Sequence, residues 1–119
     1  MTKYINLYLS LFIMKETTIF IQTFGDYPLI RVLDFLLYSR DFDYPITEIA
    51  RNSGVHFQTF QKLWPRLLKE KIVVATRVLT GVTLYKVNIQ HPVVKKLIDL
   101  NNFLCWEYAD KTEKDFLKH

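Results

Sequence analysis

Two glycines constrain this chain more than any other feature: Gly54 separates two amphipathic stretches, and Gly81 separates two β-rich ones. The run from Thr47 reads TEIARNSGVHFQTFQKLWPRLLKEKIVV, then ATRVLTGVTLYKVN up to Asn88. Thr47 suits the N-cap of a short helix over residues 48–52, with Glu48 at its positive end. Ile49 and Ala50 face inward, Ala50 being small enough to admit a neighbouring helix. Ser53-Gly54 ends that helix, because glycine takes φ > 0 without a Cβ clash. Val55 anchors the turn, and His56 takes the N-cap place of a second helix. There Phe60, Trp64 and Leu67 share one stripe, flanked by Leu63 and Leu68. Residues 72–78 and 82–89 then surround Thr80-Gly81, which predicts a β-hairpin.

Helix, tight turn, helix and hairpin in this order predict a winged helix-turn-helix: mainly α with a small β-hairpin wing, an α+β fold. In that architecture the second helix and the wing grip duplex DNA. The outer face of the second helix, about 56–70, is expected to enter the major groove with His56, Phe57, Gln58, Thr59, Gln61, Lys62 and Arg66. Glutamine makes bidentate contacts to adenine, and lysine or arginine suits guanine or phosphate. Thr59 lies near the helix N-terminus, where hydroxyl and backbone N–H groups meet phosphate. The wing, 76–88, is expected on flanking backbone or in the minor groove through Arg77, Thr80, Thr83 and Lys86.

The charge pattern agrees. Formal net charge is only +4, yet between Arg51 and Lys96 nine cations face a single acid, Glu70. The acids gather on either side, from Glu16 to Glu48 and from Asp99 to Asp115, so a phosphate surface would attract the middle and repel the ends. At 119 residues the chain is long enough for a core without metals or disulfides. Its single cysteine, Cys105, excludes an intramolecular disulfide, no Cys/His cluster has zinc spacing, and no cofactor is implied. A reducing cytoplasm is the expected compartment.

Residues 17–24 (TTIFIQTF), β-branched and aromatic with rough alternation, predict an N-terminal strand. Pro28 opens a helix with leucines at helical spacing, and residues 40–45 form a turn. His91-Pro92 begins a last helix to about Ala109, apolar around much of its circumference. One small domain rarely covers both sides of such a helix, so Leu97, Leu100, Phe103, Leu104 and Trp106 are expected to join a homodimer. The organisation expected is a leader or mis-annotated start at 1–14, a winged domain at 15–91, a dimerisation helix at 92–110 and a polar tail at 111–119. Met14 offers a second plausible beginning; otherwise residues 1–13 pack on a partner chain.

Pro65 breaks the pattern, since it removes the N–H that would bond to Gln61 and crowds that carbonyl at an interior cost of about 3 kcal/mol. A kink within one helix is expected, because Trp64 and Leu67 keep the stripe in phase across it. The pieces FGDYPLIRVLDFLL, ITEIARNSGV, LWPRLLKEKIV, LYKVN and HPVVKKLIDL together resemble archaeal winged-helix transcriptional regulators, distantly similar to the MarR and ArsR groups. The resemblance covers about residues 17–108 and implies a dimeric DNA-binding regulator with the helix after Gly54 as reader. Two departures stand out, at His56-Phe57 and in the position of the wing glycine.

Two other functions are weighed beside it. His56, His91 and His119 are scattered, with no nucleophile spacing and no phosphate-cradling glycine loop, which argues against an enzyme. A winged-helix module for protein–protein contact in a larger transcription or chromosome complex is the alternative, but such a module needs no cationic face. Within the regulator class, Tyr38, Tyr85, Trp64 and Trp106 are candidates to line an effector pocket, although aromatics at helical spacing are usually core.

Overall fold

The computed structural model describes residues 17–117. In chain order these form α1 (Ile19–Phe24), α2 (Pro28–Tyr38), α3 (Ile46–Ser53), α4 (Phe57–Lys69), β1 (Val73–Leu79), β2 (Val82–Val87) and α5 (Pro92–Leu117). Five helices and one antiparallel hairpin give the α+β architecture expected. The leader expected at 1–14 lies outside the described residues.

One cluster holds these elements together. Val32 and Leu36 of α2, Ile49 and Ala50 of α3, and Phe60, Trp64 and Leu67 of α4 meet Val73, Val87 and Val94. Each of the larger side chains contributes about 1.5–3 kcal/mol by leaving water.

The strand expected at 17–24 is instead the helix α1. Phe20 and Ile21, adjacent in sequence, are both buried, which a one-faced strand with period two cannot achieve. Thr18 supplies the cap, its Oγ1 accepting from Ile21 N at 3.3 Å, and Thr23 Oγ1 donates back to Ile19 O at 2.7 Å. Packing of α1 against α2 and α5 overrides the β preference of its residues.

Thr47 is not the cap of α3. The helix begins two residues earlier, at Ile46, with Pro45 at the N-cap, whose carbonyl accepts from both Glu48 N and Ile49 N. The extended φ of a proline suits that place, and Thr47 is left exposed in the first turn. Gly54 ends α3 at φ 69° and ψ 30°, its N–H donating to Ala50 O and Arg51 O. A Cβ there would also meet the Arg31 guanidinium at 3.2 Å, so glycine answers both a torsional and a steric demand.

α4 is one helix running through Pro65, with His56 at its N-cap as expected. Pro65 is exposed, so the Gln61 carbonyl it cannot serve faces outward, where solvent is at hand. The chain leaves α4 through Lys71 at φ 59°, and Ile72 N donates to Leu67 O. In the hairpin Val73 faces Val87 and Leu79 faces Val82, closed by Thr80 and Gly81 with φ of 52° and 79°. Two positive φ values make this a type I′ turn, whose twist matches the flanking strands. A bulge at Thr76 shifts the register between Ala75 and Arg77. Tyr44, in the turn before α3, adds a bridge to Tyr85 through two 2.9 Å backbone hydrogen bonds.

The last helix does not stop near Ala109 but continues to Leu117, so the boundary expected at 110 falls inside it. Its 26 residues span about 39 Å and give the molecule extents of 54 × 28 × 24 Å. The core holds its first turns: Val94 is buried and Ile98 packs on the cluster. Among the described residues no helix is long and apolar enough to cross a membrane.

Candidate nucleic-acid interface

The stripe Phe60, Trp64 and Leu67 fixes the rotation of α4, and the opposite face follows from it. His56, Phe57, Gln58, Thr59, Gln61, Lys62, Arg66 and Lys69 are all exposed. Lys62, Arg66 and Lys69 have no ion-pair partner among the described residues. Phe57 is the exception in kind: its ring stacks on Phe60 at 6.1 Å, extending the apolar stripe to the rim of the polar face.

An aromatic series couples this helix to the hairpin. Phe60 stacks on Trp64 at 4.9 Å, and Trp64 meets Tyr85 edge to face at 5.4 Å. Trp64 Nε1 is buried with no hydrogen-bond partner among the described residues, so the contact of Trp64 with Tyr85 is aromatic rather than polar.

On the hairpin the expected contacts are distributed differently. Arg77 is held by Asp43, with Nε to Oδ2 at 3.0 Å and Nη2 to Oδ1 at 3.2 Å. Thr76 Oγ1, on the bulge, donates to the same carboxylate at 2.5 Å. The guanidinium, and after it the Thr76 hydroxyl, hold the Asp43 carboxyl below its ordinary value, and Asp43 in turn raises Arg77. Thr80 is exposed at the turn, while Thr83 and Lys86 are half-buried on β2. The exposed large apolar side chains nearest the turn are Val78, Leu79 and Val82.

A second carboxylate acts beside the start of α4. Arg31 of α2 pairs with Asp26 through both Nε and Nη2, the latter at 2.8 Å to Oδ2, and this pairing lowers the Asp26 pKa. The pair lines an open cleft of about 230 Å³ with Pro28, Gly54, Val55, His56 and Thr59. Deeper in α2, burial raises the Asp34 carboxyl, against a hydrogen bond of 2.6 Å from Thr18 Oγ1.

The separation of charge read from the sequence is therefore only partly spatial. Asp26 and Asp43 lie in the acidic flank by number, yet Asp43 folds back onto a cation of the basic segment. Thirty-four residues separate Asp43 from Arg77, and no local periodicity signals such a pairing. The four aromatics considered for an effector pocket are not brought together around one cavity: Trp64 and Tyr85 pack on each other, while Tyr38 and Trp106 are exposed. No cluster of three metal-ligating side chains occurs among the described residues. Cys105 is exposed on α5.

On α5 the expected dimer residues divide. Leu97 and Leu104 are half-buried, whereas Leu100, Phe103 and Trp106 are exposed, the last two at 59% and 76%.

No family model matches the sequence, and no curated protein matches it. Solved structures do. ZitR of Lactococcus lactis superposes with a TM-score of 0.59 at 14% identity, covering 95% of this chain and 81% of that one. The adhesin competence repressor AdcR of Streptococcus pyogenes gives 0.55 at 14% identity over 99% of this chain and 81% of its own. AntR, an antimony-specific transcriptional repressor, gives 0.51 at 24% identity over 67% of this chain and 68% of that chain. With a hairpin packed behind α4 and these likenesses of shape, the chain has the winged-helix fold found in transcriptional repressors.

Proposed function

We propose that this protein is a sequence-specific, duplex-DNA-binding transcriptional regulator that works as a homodimer. The observation that carries the reading is the outer face of α4, where Gln58, Gln61, Lys62 and Arg66 stand exposed on a helix fixed by its buried stripe. Hydrogen-bonding and cationic groups at helical spacing suit base edges and phosphates of a major groove. The likeness in fold to repressors supports the same reading. The α4 cations supply attraction common to all sequences, and the glutamines supply discrimination, with Thr59 on a phosphate at the helix start. Arg77 and Asp43 set the wing in place, and Lys86 contributes a flanking phosphate contact.

The homodimer is supported by α5, whose Leu100, Phe103 and Trp106 are exposed among the described residues. Burying them against a second copy would remove a large apolar surface from water. Two α4 helices related by a two-fold axis would then meet half-sites about one helical turn, roughly 34 Å, apart.

Titration of random duplex across a salt series tests the reading directly. A protein neutralising several phosphates loses orders of magnitude in affinity between about 50 and 200 mM salt. A flat response would exclude DNA as the ligand. Selection from a random oligonucleotide pool would then return a pseudo-palindrome.

A further inference from the structure

The last helix is capped by a histidine. His91 O accepts from Lys95 N at 2.9 Å, the first bond of α5, which makes His91 its N-cap. Pro92 follows at the first helical position and has no N–H to satisfy. The next backbone donor is Val93 N, and it donates to His91 Nδ1 at 3.0 Å. On the other side of the ring, His91 Nε2 lies 3.0 Å from the carbonyl oxygen of Glu70, the C-cap of α4. A backbone N–H can only donate, and a carbonyl can only accept. The two contacts together therefore require a neutral imidazole with its proton on Nε2.

Asparagine, serine or aspartate caps a helix at least as well, so capping alone does not call for an imidazole. What the ring adds is reach, because it ties the start of α5 to the end of α4. Asn88 works beside it. Its N–H donates to Ile72 O at 2.8 Å, its Nδ2 donates to Lys71 O at 3.0 Å, and its carbonyl accepts from His91 N at 3.1 Å. The link from β2 to α5 thus grips three consecutive carbonyls, those of Glu70, Lys71 and Ile72, where the chain leaves α4. Of these ties, the one through the half-buried His91 ring is titratable.

We propose that His91 is a protonation-sensitive strap that holds α4 in register with α5, so that acidification weakens DNA binding. The proposal rests on α4 as the DNA-reading helix and α5 as the dimer helix. A second proton, on Nδ1, sets an N–H against the N–H of Val93 and places a cation at the positive end of α5. The cap is then lost and the strap opens. Two α4 helices must meet fixed half-sites together, so an open protein must close the strap and return the Nδ1 proton to water as it binds. Affinity is therefore complete where the ring is neutral. It falls as pH drops through the range in which imidazoles gain protons, about 7.5 to 5.5. The charged residues on the segments that meet the ring are Lys69, Glu70 and Lys71 around the end of α4 and Lys95 one turn along α5, with none at 88–90. Carboxylates and ammonium groups ordinarily keep their charge across that range.

The test follows the ring ¹⁵N shifts of His91 in the free protein, and affinity for a duplex recovered by selection from a random pool, from about pH 8 to about pH 5.5. The comparison variant is His91→Asn, whose side-chain oxygen still caps Val93 N but is too short to bring a donor to Glu70 O. At the upper pH the ring should carry its proton on Nε2 alone. Wild-type protein should there bind about fivefold more tightly than the variant, the scale of one net hydrogen bond. At the lower pH the two should bind alike. Taking their ratio cancels any change from His56 and His119, which both proteins carry. A variant that merely loosens the fold would lose the same factor at every pH. A ratio that does not change with pH, or a neutral ring with its proton on Nδ1, would overturn the proposal. Failure of wild-type protein to select any duplex would instead overturn the reading of α4, and this one with it.

Discussion

The helix α4 and the hairpin behind it were both expected to present polar, cationic surfaces. The cations of the helix are unpaired among the described residues, whereas Arg77 of the hairpin is exposed but paired. On α4 the core stripe turns Lys62 and Arg66 outward, where no carboxylate of the described chain meets them. On the hairpin the bulge at Thr76 brings Arg77 against Asp43, and the tip beyond it exposes valine and leucine. A helix fixes the direction of its side chains by period alone. A hairpin leaves that direction to register, bulges and whatever the body places beside it, so an arginine in its sequence says less about an unpaired arginine on its surface.

Phe60→Ala breaks what the two regions share. Phe60 is fully buried and stacks between Phe57 and Trp64, which in turn holds Tyr85. Truncation should cost about 3–5 kcal/mol in denaturant unfolding. The Trp64 fluorescence change and the loss of helix signal should coincide, because one contact series serves both elements.

Pro65→Ala tests the helix alone. Restoring the N–H to the Gln61 carbonyl should raise stability, by up to about 3 kcal/mol. If affinity for the selected duplex falls while the melting temperature rises, Pro65 aims the 57–62 segment into the groove. Unchanged affinity would make the proline incidental to binding.

These elements also show where the sequence was readable. The helix–turn–helix was legible because Gly54 and the 60/64/67 stripe are local signals: a backbone torsion and a period. The hairpin was legible for the same reason at Thr80-Gly81. α1 was misread because adjacent Phe20 and Ile21 look like strand residues until α2 and α5 supply a surface that buries both. The polar face of α4 followed from its stripe, whereas the pairing of Asp43 with Arg77 is a tertiary event with no local trace.

The contrast between the two regions predicts different electrostatic signatures. Arg66→Ala should cost roughly 1–3 kcal/mol in DNA affinity, and with Lys62→Ala the salt slope should become shallower by roughly two. Arg77→Ala should leave the slope nearly unchanged, because Asp43 already neutralises that cation. A slope that falls equally in both variants would show that Arg77 leaves Asp43 for a phosphate in the complex.

The smallest effect separates the two regions by pH. The Asp43 carboxyl lies below its ordinary value of 3.8 in the folded chain, held by Arg77 and Thr76. Its contribution is therefore complete above 3.8 and is lost as pH falls through the lower folded value. Asp34 on α2 shifts the opposite way, because burial disfavours its charged form. In the folded state it takes up a proton at higher pH than in the unfolded chain, so protonation stabilises the fold in a window just above 3.8. Acid titration of unfolding free energy should thus show a slight gain from Asp34 before the loss from Asp43. Asp34→Asn should remove the first and leave the second, whereas Asp43→Asn should keep the first and reduce the second to the part contributed by Asp26, whose carboxyl Arg31 also holds low.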